Sequence, residues 1–143
     1  GKIEPTGYVR VYRTWARGDT LELDFAMPVE RIEAHPLVRM DTYKVALKRG
    51  PLVYCLEEID HEDYLPAIQI DAGSPLEASY DPDLLGGVVT IRGEAEALSP
   101  EGWENQLYRP KASRYRKTPI RGVPYFAWGN RGVGNMIVWI HCR

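Results

Sequence analysis

Side chains able to do acid–base or metal chemistry crowd together at Glu57, Glu58, Asp60, His61, Glu62 and Asp63. An oxygen-rich cluster of this kind suits a hard cation such as calcium. The alternating ligand spacing and central glycine of a calcium loop are missing, however. The favoured reading is a solvated strand end whose charges discourage edge-to-edge pairing. His35, His61 and His141 are scattered and no Cys-x-x-Cys accompanies them, which disfavours zinc. Cys55 and Cys142 have no neighbouring partner motif, so two buried thiols are favoured over a disulfide. Carboxylates that act as acid and base must face each other across a cleft, and most acids here alternate outward on strand-like segments. Neither a serine nucleophile elbow nor a phosphate-binding glycine loop occurs. No catalytic residue, metal ligand or cofactor is assigned within this chain.

Two further groups bear on binding. Arg109, Lys111, Arg114, Arg116 and Lys117 follow one another with no acid among them, and Tyr108 and Tyr115 interleave. Single-strand nucleic-acid binders use such a pattern, but a net charge of -2 supplies no global basic field. The favoured reading is a solvated loop, or one that docks on another protein surface; no nucleic-acid partner is expected. The four tryptophans and nine tyrosines could form a stacking platform for sugar rings, although strands are rich in aromatics for packing alone. Trp139, inside Met136-Ile-Val-Trp-Ile140, belongs to a core. Tyr125 and Trp128, beside Gly129-Asn130-Arg131-Gly132, suit a surface role. Tyr125, Trp128, Asn130 and Arg131 are therefore the candidate docking or sugar-facing residues.

The elements that must position these groups read as strands. Arg49-Gly50-Pro51 is a corner that feeds the apolar run Leu52 to Leu56, which has the length of a core strand. Gly7 to Arg13 alternates with period 2. After the turn Ala16-Arg17-Gly18-Asp19, Leu21, Leu23 and Phe25 alternate with Glu22 and Asp24, which predicts a half-buried hairpin. Further strands are expected at Val29 to Ala34, Lys44 to Lys48, Ala67 to Ile70, Leu76 to Tyr80, Val88 to Ile91, Glu94 to Leu98 and Met136 to His141, with Gly93 a bulge or bend. Residues 99–118 read as a long basic loop. No segment has a convincing helical period. The fold class is all-β: an antiparallel, jelly-roll-like β-sandwich of about 8–12 short strands with little or no helix.

Composition agrees with that picture. A chain of 143 residues, 44% apolar and 27% charged, is expected to form one domain over residues 1–143 and to bury a real core without disulfides. No stretch approaches a membrane helix and no signal-peptide pattern stands at the N-terminus, so no membrane partner is expected and the compartment stays open.

Two stretches together resemble a known family. They are Arg49-Gly-Pro-Leu-Val-Tyr-Cys-Leu-Glu57 with Asp60, and Pro124-Tyr-Phe-Ala-Trp-Gly-Asn-Arg-Gly132 followed by Met136-Ile-Val-Trp-Ile140. Both look like the region after the catalytic barrel in glycoside hydrolase family 127, the β-L-arabinofuranosidase-type enzymes. Gly7-Tyr-Val-Arg-Val-Tyr-Arg-Thr-Trp15 with Gly18-Asp19 fits the same family's entry into its β-sandwich portion. The resemblance implies a C-terminal, non-catalytic sandwich that packs against an (α/α) barrel of the same parent chain. Stabilising the barrel, shaping the cleft rim and mediating homo-oligomer contacts are its implied roles. It also implies a retaining parent enzyme with a cysteine nucleophile, a zinc ion and a glutamate acid/base, all in the barrel. None of those residues can be carried onto this chain. Cys55 lies inside an apolar strand, and the chain alone is expected to be inactive. The alternatives are an autonomous carbohydrate-binding module and an interaction sandwich without a ligand.

Overall fold

A computed structural model describes residues 2–3 and 8–143, with side chains from Tyr8 onward. The chain forms strands β1 (Lys2–Ile3), β2 (Val9–Arg10), β3 (Val29–Glu33), β4 (Lys44–Arg49), β5 (Leu52–Glu57) and β6 (Ile68–Ile70). They are followed by β7 (Leu76–Asp81), β8 (Val88–Leu98), β9 (Tyr115–Pro124), β10 (Met136–Ile137) and β11 (Trp139–Cys142). Among the described residues the helical content is limited to short 3₁₀ turns, such as Glu58–Asp60 and Tyr125–Ala127. The fold is all-β, as the alternation patterns predict.

Nearly all strands join one sheet, and that sheet closes. Its path runs β5, β9, β8, β6, β11, β4, and β4 then pairs back with β5 through Lys48–Val53 and Arg49–Leu52. β3 extends the sheet beyond β4, β10 pairs with the end of β5, and β7 lies along the first half of β8. The β11–β6 ladder is parallel; the other ladders of this sheet are antiparallel. Closure buries the Tyr54 and Leu56 side chains inside. The chain after β9, around Tyr125–Ala127 and Arg131, covers the opposite face with Cys55 and Glu57, so Tyr54 to Glu57 are buried in succession. A strand covered on both faces loses the polar half of the period-2 pattern.

The interior is filled by Val45, Leu47, Tyr54, Leu56, Ile68, Ile70, Ile91, Ala97, Ile120 and Ile140. Burial of each large aliphatic side chain contributes about 1.5–3 kcal/mol. Strand ends here depend on backbone geometry. Gly50 turns β4 into β5 at φ 57°, in the left-handed region where side chains are strained.

Several expectations change. The turn at Ala16–Asp19 forms: Asp19 N–H donates to the Ala16 carbonyl at 3.1 Å, and Asp19 Oδ2 accepts from Ala16 N–H at 2.8 Å. The expected hairpin around it does not form. β2 pairs with β1 instead, and residues 20–28 join no strand. Leu21, Leu23 and Phe25 are exposed; alternation alone does not supply a sheet to lie on. Gly93 makes no break, because β8 runs through it. Its lack of a side chain answers a close approach of β7: a Cβ there would stand 2.6 Å from Leu76 Cδ2 and 3.0 Å from the Pro75 carbonyl oxygen. The long loop ends before Tyr115, so Tyr115 to Thr118 of the expected loop are paired with β8. The last strand is interrupted at Val138, and Trp139 is half-buried rather than core.

Candidate functional site

The chain between β9 and β10 carries the residues singled out above. Pro124, buried at the end of β9, leads into a 3₁₀ turn, Tyr125–Ala127, whose Ala127 is buried. A single 3₁₀ turn anchored at one side turns its remaining side chains outward. The Tyr125 and Trp128 rings accordingly stack with centroids 6.2 Å apart at 22°, while 47% and 42% of each residue stays exposed. Phe126 beside them is also exposed, as is Val133 further along the loop. Neither was marked in the sequence, since an apolar residue in a loop carries no period to read.

Asn130 and Arg131 serve differently. Asn130 Nδ2 donates to the Ala127 carbonyl at 3.0 Å and so closes the turn from the far side. The Arg131 guanidinium points to the β5 end, with only 16% of its side chain exposed. It donates through Nη1 to Asp60 Oδ1 at 2.8 Å and through Nη2 to Asp60 Oδ2 and Glu57 Oε2. Glu57 Oε1 in turn accepts from Gly129 N–H at 3.0 Å. The structure thus places Tyr125 and Trp128 together on the surface and commits Asn130 and Arg131 to holding the loop beneath them.

This arrangement revises the acidic cluster. Three of its members are not a solvated strand end: the side chains of Glu57, Asp60 and Asp63 are 6%, 8% and 6% exposed. Buried carboxylates need partners, and arginines from β9 and from the loop after it supply them. An alternating chain of charge runs Glu57, Arg131, Asp60, Arg121, Asp81, Arg92; Arg121 Nη1 reaches Asp60 Oδ1 at 3.5 Å and Arg92 reaches Asp81 at 3.3 Å. Arg116 pairs separately with Asp63 at 2.7 Å. Burial by itself pushes the Asp60 carboxyl up, but the Arg131 hydrogen bond and charge, with Arg121 and His61, outweigh it and hold the group below its ordinary value. The Asp60 bond likewise raises Arg131 against burial, with Glu57 adding to it. His61 locks the same corner: Arg121 N–H donates to its Nε2 at 3.2 Å, so in the neutral ring Nδ1 carries the proton toward the Glu57 carbonyl at 2.7 Å. The clue within reach of the sequence was Glu57 itself, an acid that continues a wholly apolar strand.

Catalytic and metal chemistry can be tested on the side chains present. Among the described residues, no three His, Cys, Asp or Glu side chains come together to hold a metal ion. There is thus, among the described residues, no donor set that would match the zinc the resemblance implies for a barrel. Both cysteines are free. Burial, with the Glu57 and Asp60 charges and against Arg131, pushes the Cys55 thiol up to about 11, which is the wrong direction for a nucleophile. A cleft of about 260 Å³ opens beside the loop, lined by Glu57, Glu58, Ile59 and residues 131–135. A larger one, about 430 Å³, lies by β6, β7 and β8 and has no aromatic lining.

Within the basic loop Arg109 sits over the Trp103 ring at 4.1 Å and donates to the Ala112 carbonyl at 3.3 Å. Lys117, already on β9, pairs with Glu94 of β8 at 3.1 Å.

Fold and face together define a small, closed all-β domain with an aromatic corner held in place by a buried ionic chain. Residues 29–141 match the glycoside hydrolase family 127 C-terminal domain, and the chain belongs to that family. A curated relative, the non-reducing end β-L-arabinofuranosidase of Bifidobacterium longum subsp. longum, is 36% identical over 138 residues, spanning 90% of this chain and 21% of the relative. A crystal structure of a GH127 β-L-arabinofuranosidase from Geobacillus stearothermophilus T6 superposes with a TM-score of 0.79 at 51% identity, over 82% of this chain and 18% of that one. A GH127 β-arabinofuranosidase superposes at 0.72 with 30% identity, over 82% and 17%. The chain spans about a fifth of the length of these relatives.

Proposed function

We propose that this chain is the accessory β-domain of a glycoside hydrolase acting on non-reducing-end β-L-arabinofuranosides, and that it packs against the (α/α) catalytic barrel of the same polypeptide. The observation that supports this reading best is the stacked, exposed Tyr125–Trp128 pair on a loop rigidified from below by Arg131, Glu57 and Asp60. Immobilised aromatics of this kind serve contact at little entropic cost, and rigid aromatic anchors dominate interface energetics. The relatives, of which the matching region is about a fifth, name the activity. In this role the domain braces the barrel and performs no bond-making itself.

The test compares two settings. Tyr125→Ala and Trp128→Ala should lower the melting temperature of the parent polypeptide well beyond the smaller loss in the 143-residue chain, where about half of each residue is exposed and only their mutual stack and partial cover are lost. Equal effects in both settings, or none in the parent, would overturn the docking role. The same exposed stack also matches the apolar face of a sugar ring, which favours a carbohydrate-binding module as the second reading. Saturable binding of arabinose-containing glycans to the isolated chain at millimolar ligand, lost in Trp128→Ala, would replace the first reading with that one.

A further inference from the structure

The segment between the preformed turn and β3 has no place in the barrel. Residues 20–28 join no strand, and Leu21, Leu23 and Phe25 stand 55%, 67% and 72% exposed, alternating with Glu22 and Asp24. Before the turn, Val9, Tyr12 and Trp15 are exposed as well. The turn itself is fixed by Asp19, whose carboxylate also takes Arg13 at 2.9 Å. At the far end Met27 packs on Gly50, where an added Cβ would come within 2.6 Å of its Cε. An ordered turn and an ordered exit therefore bracket a segment of period-2 pattern that has neither a ladder nor cover among the described residues. Water-facing strands with one apolar side are built to have that side covered, and unpaired strand backbone is a template for pairing.

Similarity to relatives does not stop where the family match begins. The match to the Bifidobacterium enzyme covers 90% of the chain, which leaves fewer residues unmatched than lie ahead of Val29. It therefore runs into this arm, and most of the length of that relative lies outside the matched region.

We infer that Thr20 to Ala26 pairs as an added β-strand with a sheet edge in the part of the parent polypeptide outside these 143 residues, burying Leu21, Leu23 and Phe25 against it. This rests on the reading that the chain is one domain of a larger glycoside hydrolase. It assigns a second contact, separate from the aromatic corner. Main-chain hydrogen bonds supply the attachment and the alternate apolar side chains set the register, as in strand addition generally. Glu22 and Asp24 then face water, where they blunt further pairing.

Amide hydrogen exchange, resolved to single residues, tests this in the parent polypeptide and in the 143-residue chain. A strand added at an edge bonds alternate amides, so alternate residues of 20–26 should exchange about a hundredfold more slowly in the parent than in the isolated chain. Leu23→Asp in the parent should abolish that protection. Fast exchange throughout 20–26 in both settings overturns the inference. Protection that appears in the isolated chain and grows with its concentration also overturns it, because a second copy is then the occupant. The two contacts separate cleanly. Protection at Tyr125–Trp128 without protection at 20–26 rejects the arm and keeps the docked corner, and the reverse pattern rejects the corner and keeps the arm.

Discussion

Arg131→Met isolates the buried ionic chain. The substitution keeps the length and apolar stem of the side chain and removes the guanidinium that serves both Asp60 and Glu57. Breaking a buried pair by deleting one partner costs about 3–5 kcal/mol, because the other charge stays buried and uncompensated. Two contacts survive: Gly129 N–H still donates to Glu57, and Arg121 still stands 3.5 Å from Asp60. Those remnants put the expected loss at the low end, about 3 kcal/mol. At roughly 4 °C per kcal/mol for a chain of this size, the melting temperature falls by about 12 °C. The assay is thermal and urea unfolding of wild type and variant from pH 7 downward. Asp60 has a folded pKa below its unfolded one, so its contribution is full above about pH 4 and is lost as pH falls through the lower, folded value. The variant lacks that contribution already at pH 7. Acidification below about pH 4 therefore costs wild type more than the variant, and the gap between them narrows. A loss under about 1 kcal/mol at pH 7, the size of an exposed surface pair, would refute the reasoning. So would a gap that widens with acid. Lys117→Met, which removes the exposed pair with Glu94, is the control and should change nothing measurable.

Two further outcomes follow from local geometry. Gly93→Ala drives a methyl onto Leu76 Cδ2 and the Pro75 carbonyl, so it should destabilise by about 1–3 kcal/mol in urea titrations; Gly134→Ala meets only Glu58, at 3.7 Å, and serves as its comparison. Cys55 should resist an aromatic disulfide reagent at pH 8 in the folded chain, being buried with its thiol pushed up to about 11, and should react on unfolding, with no reductant needed to expose either thiol.

Most barrel strands were legible because they carry their own signal; the start of β9, Tyr115 to Thr118, reads as basic loop and did not. Leu52 to Leu56 is an apolar run after Gly-Pro, Val88 to Ile91 is β-branched, and Glu94 to Leu98 alternates. The same alternation misled at Leu21 to Phe25, since a period records which side chains want cover and not where the cover lies. The acidic cluster misled for a related reason. The arginines that neutralise Glu57, Asp60 and Asp63 lie 74, 71 and 53 residues downstream, and no local pattern announces that they return. Tyr125 and Trp128 drew notice only through the neighbouring glycines and asparagine, which mark a turn without saying what it presents.

The pairing of β11 with both β4 and β6 governs when this domain can exist at all during synthesis. Every other rung of the ring is in place once β9 has emerged, yet β4 and β6 keep open edges until Trp139 to Cys142 arrive between them. A nascent chain synthesised at about 5–20 residues per second thus carries two unsatisfied strand edges around an incompletely covered apolar interior for as long as the last strand remains in the ribosome. The final strand is the one that seals the ring. Loss of a few residues near Trp139 would be far more damaging than loss of the same number from the arm, and aggregation of partly made chains is the hazard this topology sets against the stability of a closed barrel.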